Sequence, residues 1–455
     1  MEQKSLKKRR LGATSIFSLG FLTLIFLGTV LLTLPVSSAS GQFTNPLDAA
    51  FTAVSATCVT GLITLDTATA WSTFGHTVII VLIQIGGLGF MTVAMLLSLV
   101  IRRNITPQER RLAAMSYNLD EYDSIMQLVK RILLGTLLIE SVGAILLATR
   151  FVPDFGWSLG IRKSIFHSIS AFCNAGFDTV GVGNAEIGGM SHYLTDPIVN
   201  LTLSALIILG GIGFLVWSEL YNYFVKHKRL SAYAKLVLIV SALLLGIGTV
   251  FFAVGEWNNP QTLGTIKGFF PKLMASFFQS VTWRTAGFAM IDNGSFTESS
   301  QMLGILLMFV GGASGSTAGG VKVGTVGILF YTVWCVFLGK KNTVMFGRTV
   351  SDHSFVRAAS VIIMQITVAL LGTLILSVST PFHLTDILYE VVSAISTVGL
   401  TTGITPHLSA VAKLTDMILM YFGRVGVLTV SYAVLNSLLK DRSAVEYPEA
   451  KMLIG

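Results

Sequence analysis

Long apolar segments alternate with shorter, less apolar ones along the chain, and this pattern repeats four times. The long segments predict outer helices at about 13–34, 124–149, 234–255 and 357–379, and inner helices at about 76–101, 197–224, 299–338 and 413–438. The short segments predict helices at about 47–58, 163–174, 269–283 and 385–397. A helix rises about 1.5 Å per residue, so about 11–15 residues do not cross a bilayer core of about 30 Å. The short segments are therefore expected to enter a membrane and return.

Each short segment ends in a run of small residues that contains a glycine. The four runs are Ala56–Leu62, Ala171–Phe177, Thr282–Phe288 and Ala394–Leu400. Their glycines, Gly61, Gly176, Gly287 and Gly399, are separated by 115, 111 and 112 residues, and an apolar residue follows each one. Repetition at this length indicates a duplicated unit.

A second glycine-rich sequence follows in every unit. It begins at Ile85, Leu209, Val310 and Phe422, which lie 24, 33, 23 and 23 residues after the respective glycines. The extra residues of the second unit fall in the glycine-rich stretch 181–193, where an insertion costs little loop-closure entropy. The predicted divisions are a cytoplasmic N-terminal segment 1–12, repeats 13–115, 116–230, 231–345 and 346–440, and a cytoplasmic tail 441–455.

The bilayer core restricts how these units are arranged. Irregular backbone inside a membrane is tolerated only where it is buried or lines a water-filled cavity, so four short segments predict one shared cavity. The predicted fold is an all-α membrane protein of four tandem helix–pore loop–helix repeats. Its eight transmembrane helices and four re-entrant pore helices surround one pseudo-fourfold pore.

The composition agrees with a membrane protein. Hydrophobic residues make up 53% and charged residues only 12% of the 455 residues, whereas soluble globular proteins carry about 25% charged residues. Of the 31 lysines and arginines, 22 follow an even number of predicted spans, 7 lie on the other side and 2 lie within helices. This positive-inside bias predicts that both termini are cytoplasmic, and it explains the net charge of +8 without nucleic acid.

The repeated glycines suit a pathway for a dehydrated cation. Backbone carbonyl oxygens can replace the hydration shell of an ion, and glycine lets successive carbonyls turn toward one axis. The C-terminal end of each short helix carries partial negative charge, which also favours a cation. Close helix packing is the competing explanation for small residues in a membrane.

The four units resemble the Trk/Ktr/HKT superfamily of potassium uptake proteins, with Thr285-Ala286-Gly287-Phe288 in the third unit, and look most like its bacterial KtrB-type membrane subunits. The resemblance covers residues 13–440 and implies a selectivity filter that binds K⁺ through its backbone. The expected filter residues are Val59, Thr60, Gly61, Asn174, Ala175, Gly176, Thr285, Ala286, Gly287, Thr397, Val398 and Gly399. Because a serine at the first glycine goes with sodium preference in this superfamily, Gly61 implies a preference for potassium.

The third inner segment is too long for one span, and its middle is rich in small residues. Residues 311–320 include five glycines and are poor helix formers, so the helix is expected to break there. The resemblance implies that this loop is a gate below the filter, whereas close packing is the alternative. The expected gate residues are Gly311, Gly312, Gly315, Ser316, Thr317, Gly319, Gly320, Lys322 and Arg424.

Lys322 and Arg424 are the two cations predicted within inner helices, where charge is costly and usually functional. They would raise the barrier for potassium or hold the loop closed. Pairing with a buried carboxylate is the alternative, the candidates being Glu140, Glu219 and Glu390. Arg284 precedes a filter glycine, and its side chain is expected to point away from the ion.

The resemblance also implies partners. KtrB-type subunits form homodimers in the lipid membrane and bind a cytosolic ring of KtrA-type nucleotide-binding subunits. This chain has no phosphate-binding glycine motif, so nucleotide is expected on the partner. The expected docking surfaces are Arg102–Arg111, Lys226–Lys235, Lys340–Arg348 and Lys440–Gly455. Uptake in this group is often linked to Na⁺, but these residues do not define a sodium site.

Other function classes fit the sequence less well. An intramembrane enzyme lacks support because there is no GxSxG, no HExxH and no paired intramembrane aspartate, and histidines such as His167 fall near segment ends. A proton- or sodium-coupled secondary transporter of another monovalent cation is the alternative, with Glu140 as the clear carboxylate inside a helix. Asp66, Asp178 and Asp292 follow the glycines and either enrich cations at the mouth or simply solvate loops.

Overall fold

The computed structural model describes residues 13–89, 125–180, 189–340 and 342–426. Several predictions lie outside the described residues. These are the N-terminal segment 1–12, the ends of two inner helices at 90–101 and 427–438, the basic segment Arg102–Arg111 and the tail Lys440–Gly455.

The described residues are mostly helical. The α-helices are α1 (Ala13–Thr33), α2 (Pro46–Cys58), α3 (Thr67–Ala70), α4 (Thr73–Leu88), α5 (Ile125–Phe155), α6 (Trp157–Phe172), α7 (Pro197–Ile212), α8 (Phe214–Lys226), α9 (Ala232–Glu256), α10 (Phe269–Trp283), α11 (Glu298–Phe309), α12 (Val323–Phe337), α13 (Asp352–Ser379), α14 (Leu384–Ile395) and α15 (Ala410–Val425). Short 3₁₀ turns occur at Pro35–Ser37, Gly189–Tyr193, Leu263–Thr265, Asn293–Ser295 and Thr405–His407. The sequence did not predict the antiparallel hairpin of β1 (Val344–Met345) and β2 (Arg348–Thr349).

The outer and short helices fall close to their predicted positions. The main difference is in the second unit, where α6 begins at Trp157 instead of 163 and α5 continues to Phe155. Gly156 separates the two helices because its φ of 77° is incompatible with a continuing helix. The outer helix is therefore longer than predicted, and the short helix starts earlier.

The second inner helix is interrupted, whereas the sequence predicted a continuous helix at 197–224. The first and fourth inner helices, predicted at 76–101 and 413–438, are described only as far as Gly89 and Gly426. Gly89, Gly213 and Gly426 end α4, α7 and α15 with φ values of 85°, 95° and 91°. At Gly213 the chain turns, so that α7 and α8 form an angle of 99°. The apolar pattern of the sequence continues past these glycines and does not indicate that a helix ends there.

The third inner helix breaks where the run of small residues predicts. Helix α11 ends at Phe309, α12 begins at Val323, and Val310 and Val321 form a parallel bridge between them. Residues 310–322 are called the small-residue loop below.

Several described helices are suited to a lipid environment. Val129–Phe155, Ala232–Glu256 and His353–Ser379 are long and apolar enough to cross a membrane, and α7 with α8 makes a fourth if the bent pair counts as one span. Large apolar side chains on these helices are exposed, including Leu134 at 69% and Val378 at 90%. The chain is therefore a helical membrane protein, while the full count of eight spans stays a prediction.

The short helices are the most enclosed elements of the fold. Ala49 and every residue from Phe51 to Cys58 in α2 are buried, as is every residue from Tyr389 to Ile395 in α14. Helix α2 packs on α1, α4 and α15, and α14 packs on α11, α13 and α15. The longer helices thus surround the short ones and direct their C-terminal ends toward the interior.

Candidate functional site

The four predicted filter glycines meet in a closed ring. A Cβ atom built on Gly61 would lie within 3.0 Å of the carbonyl oxygen of Ala175, and one on Gly176 would approach that of Ala286 equally closely. The same relation holds between Gly287 and Val398, and between Gly399 and Thr60. Each glycine therefore packs against the residue that precedes the next glycine, and the fourth closes onto the first.

The backbone has the same unusual conformation in each of the four ring segments, 59–61, 174–176, 285–287 and 397–399. The glycines have φ values of 99°, 68°, 81° and 96°. Two residues earlier, Val59, Asn174, Thr285 and Thr397 have φ values of 58°, 59°, 62° and 51°. Such values are uncommon for non-glycine residues, and for β-branched ones they are genuine outliers. Strain of this kind, costing about 1–3 kcal/mol per residue, concentrates at functional sites.

The carbonyl groups at the ring are buried but not used by the fold. Thr60, Ala175, Ala286 and Val398 are each 0% exposed. In the described part of the chain, no N–H or O–H group donates a hydrogen bond to their carbonyl oxygens. Buried carbonyls normally have partners, so this set of four oxygens is available to a ligand.

Hydroxyl groups hold the ring segments against their helices. These hydroxyl groups were not predicted as functional from the sequence. The N–H groups of Gly61 and Gly399 donate to Ser55 Oγ and Ser393 Oγ, both at 3.0 Å. In the other two segments the hydroxyl donates outward, from Ser170 to the Phe177 carbonyl at 2.9 Å and from Thr282 to the Phe288 carbonyl at 2.8 Å. A serine six residues before the glycine recurs in three of the four units, so an alignment of the units contains this signal.

The second glycine-rich sequences let the inner helices approach the ring. Gly86, Gly210 and Gly423 lie so close to the carbonyls of Thr57, Phe172 and Ile395 that a Cβ atom would come within 3.0 Å of each oxygen. Each of these oxygens ends a short helix, four residues before a ring glycine. In the third unit the corresponding Gly311 instead faces the carbonyl of Gly319 in the small-residue loop.

The small-residue loop lies against the ends of two short helices. Thr317 Oγ1 donates to the Phe172 carbonyl at 3.1 Å and lies 3.1 Å from Asn174 Oδ1. On the other side, a Cβ atom on Gly319 would meet the Thr397 side chain. The loop thus touches two ring segments, 174–176 and 397–399.

Backbone hydrogen bonds connect the loop to its neighbours. The Ala313 N–H donates to the Gly211 carbonyl at 2.9 Å, and the Phe214 N–H donates to that of Gly315 at 2.9 Å. Within the loop, the Gly311 N–H donates to the Val321 carbonyl, and the Gly312 carbonyl accepts from the Val323 N–H. Gly320 has a φ of 64°, and the hydroxyl of Ser316 is buried. The loop is an ordered part of the fold around the break in α7–α8.

Arg424 joins the loop to the first unit. Its guanidinium donates to the carbonyls of Thr317 and Gly86, and to that of Gly87 at 3.0 Å. Lys322 stays within the loop and donates to the Ala318 carbonyl at 2.7 Å. Both cations are thus bound by backbone oxygens.

The carboxylates considered as partners for these cations are engaged elsewhere. Glu140 accepts from Gln84 at 3.1 Å, Glu219 from the Ser231 hydroxyl at 2.9 Å, and Glu390 from the Thr405 hydroxyl. Among the described residues, no salt bridge joins Lys322 or Arg424 to a carboxylate. In the described part of the chain, the two cations are therefore not paired with a buried carboxylate.

Arg284 points away from the ring, as expected. Its guanidinium donates to the Ser241 carbonyl on α9 at 3.2 Å and to the Gly311 carbonyl at 3.3 Å. It ties the start of the loop to an outer helix.

The residues expected near the mouth serve the local structure. Asp66 caps α3 through the Ala68 N–H at 3.2 Å, and Asp292 caps a turn through the Gly294 N–H at 3.1 Å. Asp178 contacts His167 Nε2 at 2.8 Å, and His167 is 0% exposed within α6. His167 is therefore a buried member of the short helix, held by Asp178.

Comparison with known proteins decides the family. The family model for TrkH, described as a cation transport protein, matches residues 8–444. The chain belongs to the TrkH family. Relatives in this family include the "Potassium/sodium uptake protein NtpJ" of Enterococcus hirae, 39% identical over 98% of both chains. Another is the "Ktr system potassium uptake protein B" of Bacillus subtilis, 38% identical over 100% of this chain and 99% of its own.

A solved structure shares the fold. The potassium transporter TrkH from Vibrio parahaemolyticus superimposes with a TM-score of 0.70, covering 97% of this chain and 87% of its own at 16% sequence identity. The predicted membership of the superfamily is confirmed, and the TrkH-family chain is a transport protein and not an enzyme.

Proposed function

We propose that this chain takes up potassium across the cytoplasmic membrane as the pore-forming subunit of a Ktr-type system. The observation that carries the proposal is the closed ring of Gly61, Gly176, Gly287 and Gly399 with its unused carbonyl oxygens. Carbonyl rings of this kind can replace the hydration shell of K⁺. Two relatives with at least 38% identity are named potassium or potassium/sodium uptake proteins, which supports the same ion.

The proposed architecture is four repeats around one pore, with eight transmembrane helices and four re-entrant helices. The short helices α2, α6, α10 and α14 are the re-entrant elements, and each ends just before a ring glycine. Both termini are cytoplasmic in this proposal, because 22 of the 31 lysines and arginines then lie on the inner side.

The small-residue loop is the proposed gate. It lies against segments 174–176 and 397–399, and Arg424 holds it to the carbonyls of the first unit. A fixed guanidinium there opposes the passage of a cation by charge repulsion. Lys322 and the loop glycines complete the gate.

The proposed assembly is a homodimer with one pore in each protomer, regulated by a cytosolic ring of KtrA-type nucleotide-binding subunits. The basic segments Lys226–Lys235 and Lys340–Arg348 lie on the side assigned to the cytoplasm, as do Arg102–Arg111 and the tail Lys440–Gly455. Nucleotide then acts on the partner, because this sequence has no phosphate-binding glycine motif.

Flux measurements on the purified chain in liposomes test the filter. Gly61→Ser is expected to lower the preference for K⁺ over Na⁺, because a Cβ atom at Gly61 meets the Ala175 carbonyl and the φ of 99° disfavours a side chain. Gly41→Ser is the matched control, since Gly41 also has positive φ but no atom within 4 Å of the added Cβ. A K⁺/Na⁺ flux ratio that is the same in wild type and Gly61→Ser would overturn the filter assignment.

Sodium-linked uptake of potassium belongs to the function proposed above. The second candidate is a proton- or sodium-coupled secondary transporter of another monovalent cation. It gains weight from the structure, because Glu390 and Asp416 are buried inside helices, whereas the sequence pointed to Glu140 alone. In liposomes, K⁺ flux driven by a membrane potential without a Na⁺ or H⁺ gradient favours a channel. Dependence of that flux on either gradient favours the carrier.

A further inference from the structure

Two carboxylates lie buried beside the fourth ring segment. Glu390 is in the middle of α14, and Asp416 is in the second turn of α15. Both are 0% exposed, and the two helices that carry them pack against each other. The segment that follows Gly399 brings the hydroxyl of Thr405 against Glu390.

Most of the oxygens in this cluster have no partner. In the part of the chain that the structure describes, Asp416 Oδ1 and Oδ2 and Glu390 Oε2 are buried without a hydrogen bond. Glu390 Oε1 accepts from the Thr405 hydroxyl. None of the salt bridges made by the described residues includes either carboxylate.

Another buried carboxylate shows how this fold satisfies an acid that has a purely structural role. Glu256 is also 0% exposed, and it accepts from the Thr297 N–H at 2.9 Å, the Thr297 hydroxyl at 2.7 Å and the Thr262 hydroxyl at 2.8 Å. Asn259 Nδ2 adds a further donor at 2.6 Å. Asp416 differs because it has none of these donors.

An unpaired buried charge is unstable, so this cluster calls for a bound proton or a bound cation. Two neighbouring carboxyl groups commonly retain one proton between them, because two negative charges repel each other at short range. One negative charge then remains, and it matches a monovalent cation. Carboxylate oxygens are ligands of high field strength, which favours a small ion over K⁺.

We propose that Glu390, Asp416 and Thr405 form a binding site for a monovalent cation of the size of Na⁺, beside the fourth ring segment. The site is separate from the ion pathway through the glycine ring. The proposed cation site rests on the proposed function in one respect: monovalent cations must reach the region beside the glycine ring. A cation bound there stabilises α14 against α15 and holds the ring segment that ends α14.

Thermal unfolding of the purified full-length chain in detergent tests the site. Wild type is expected to melt about 2–5 °C higher in NaCl than in N-methylglucamine chloride of equal ionic strength, because a ligand that binds only the folded state raises the melting temperature. Asp416→Asn and Glu390→Gln should remove this difference. Glu140→Gln, a buried carboxylate outside the cluster, should keep it.

The outcomes are separable. Equal melting in NaCl and N-methylglucamine chloride would show that protons alone satisfy the acids, and stabilisation only by CaCl₂ would show a divalent site; either result overturns the proposal. So does a Na⁺-dependent rise that survives Asp416→Asn. If Asp416→Asn does not fold, Thr405→Val gives the same test through loss of a hydroxyl ligand, with equilibrium binding of ²²Na⁺ as the readout.

The test does not depend on transport. Gly61→Ser should retain the Na⁺-dependent rise in melting temperature even though its flux selectivity changes. A normal K⁺ flux without any Na⁺ effect on melting would refute only the cation site. A Na⁺ effect without K⁺ flux would refute only the proposed function.

Discussion

Single residues determine the conformation of each ring segment. In all four segments a left-handed residue stands two positions before a glycine with positive φ. The glycines were predictable from their spacing, but the left-handed conformation of Val59 and Thr397 was not. β-branched residues disfavour that region, so the tertiary contacts of the ring must impose it.

Loss of the supporting hydroxyl tests this description. Ser393→Ala should lower the K⁺/Na⁺ flux ratio about 2- to 10-fold, because one hydrogen bond to the Gly399 N–H is worth about 0.5–1.5 kcal/mol. Ser55→Ala should act in the same way on Gly61. The control is Ser360→Ala, since Ser360 is an exposed residue on an outer helix whose hydroxyl bonds only within its own helix. An unaltered ratio in both ring variants would show that the hydroxyls do not hold the filter.

Chemistry at the level of single residues was otherwise only partly visible in the sequence. The outward orientation of Arg284 followed from charge alone, because a guanidinium in a cation pathway repels the ion. The backbone partners of Arg424 could not be predicted, because they are distant in sequence. Thr317 lies 107 residues and Gly86 lies 338 residues before Arg424. Glu390 was considered only as a partner for the two cations, and Asp416 was not considered, because it lies in an amphipathic segment where an isolated acid usually faces solvent.

At the scale of elements, the broken inner helices are the main departure from the predicted fold. Glycine within an apolar run lowers helix stability by about 1 kcal/mol without fixing where the helix ends. Only the ten small residues of 311–320 were dense enough to predict a break. Helices α4, α7 and α15 each end at a single positive-φ glycine, Gly89, Gly213 and Gly426.

The contacts of the small-residue loop predict the effect of releasing it. Arg424→Gln should raise K⁺ flux in liposomes without the regulatory partner, because it removes both the fixed charge and the bonds to Thr317, Gly86 and Gly87. A rise of about 10-fold or more corresponds to about 1.4 kcal/mol. The measurement is ⁸⁶Rb⁺ uptake by matched vesicles.

A charge change elsewhere on the same helix provides the control. Lys413 lies at the other end of α15 and pairs with Asp48 at 2.8 Å, so Lys413→Gln removes a charge without touching the loop. Flux that stays at the wild-type level in Arg424→Gln, with protein that folds normally, would argue against a gate held by this arginine.

At the scale of the whole molecule, the distribution of charge predicts orientation. Cysteine introduced at Ser40, in the exposed turn after α1, should react with an impermeant maleimide added outside intact cells. Cysteine at Lys340, after α12, should react only when the inner face is open. The three native thiols, Cys58, Cys173 and Cys335, are buried, so wild type serves as the background. Labelling of both sites from the same side would contradict the positive-inside assignment.

The overall fold was largely predictable because the bilayer restricts it strongly. Apolar length distinguishes spanning from short helices, and the repeat spacing identifies equivalent positions. The hairpin β1–β2 and the 99° turn between α7 and α8 were not predictable, because local turn residues and contacts between distant segments determine them.

The closure of the glycine ring has a consequence for biosynthesis. Gly399 packs against Thr60, and Gly399 follows Gly61 by 338 residues in the chain. At about 5–20 residues per second, the ribosome needs about 17–70 seconds between these two glycines. During that interval the early units wait in the membrane with their carbonyl-rich segments unclosed. The last unit to be inserted therefore completes the ring. A chain that is truncated before this unit does not form a closed ring.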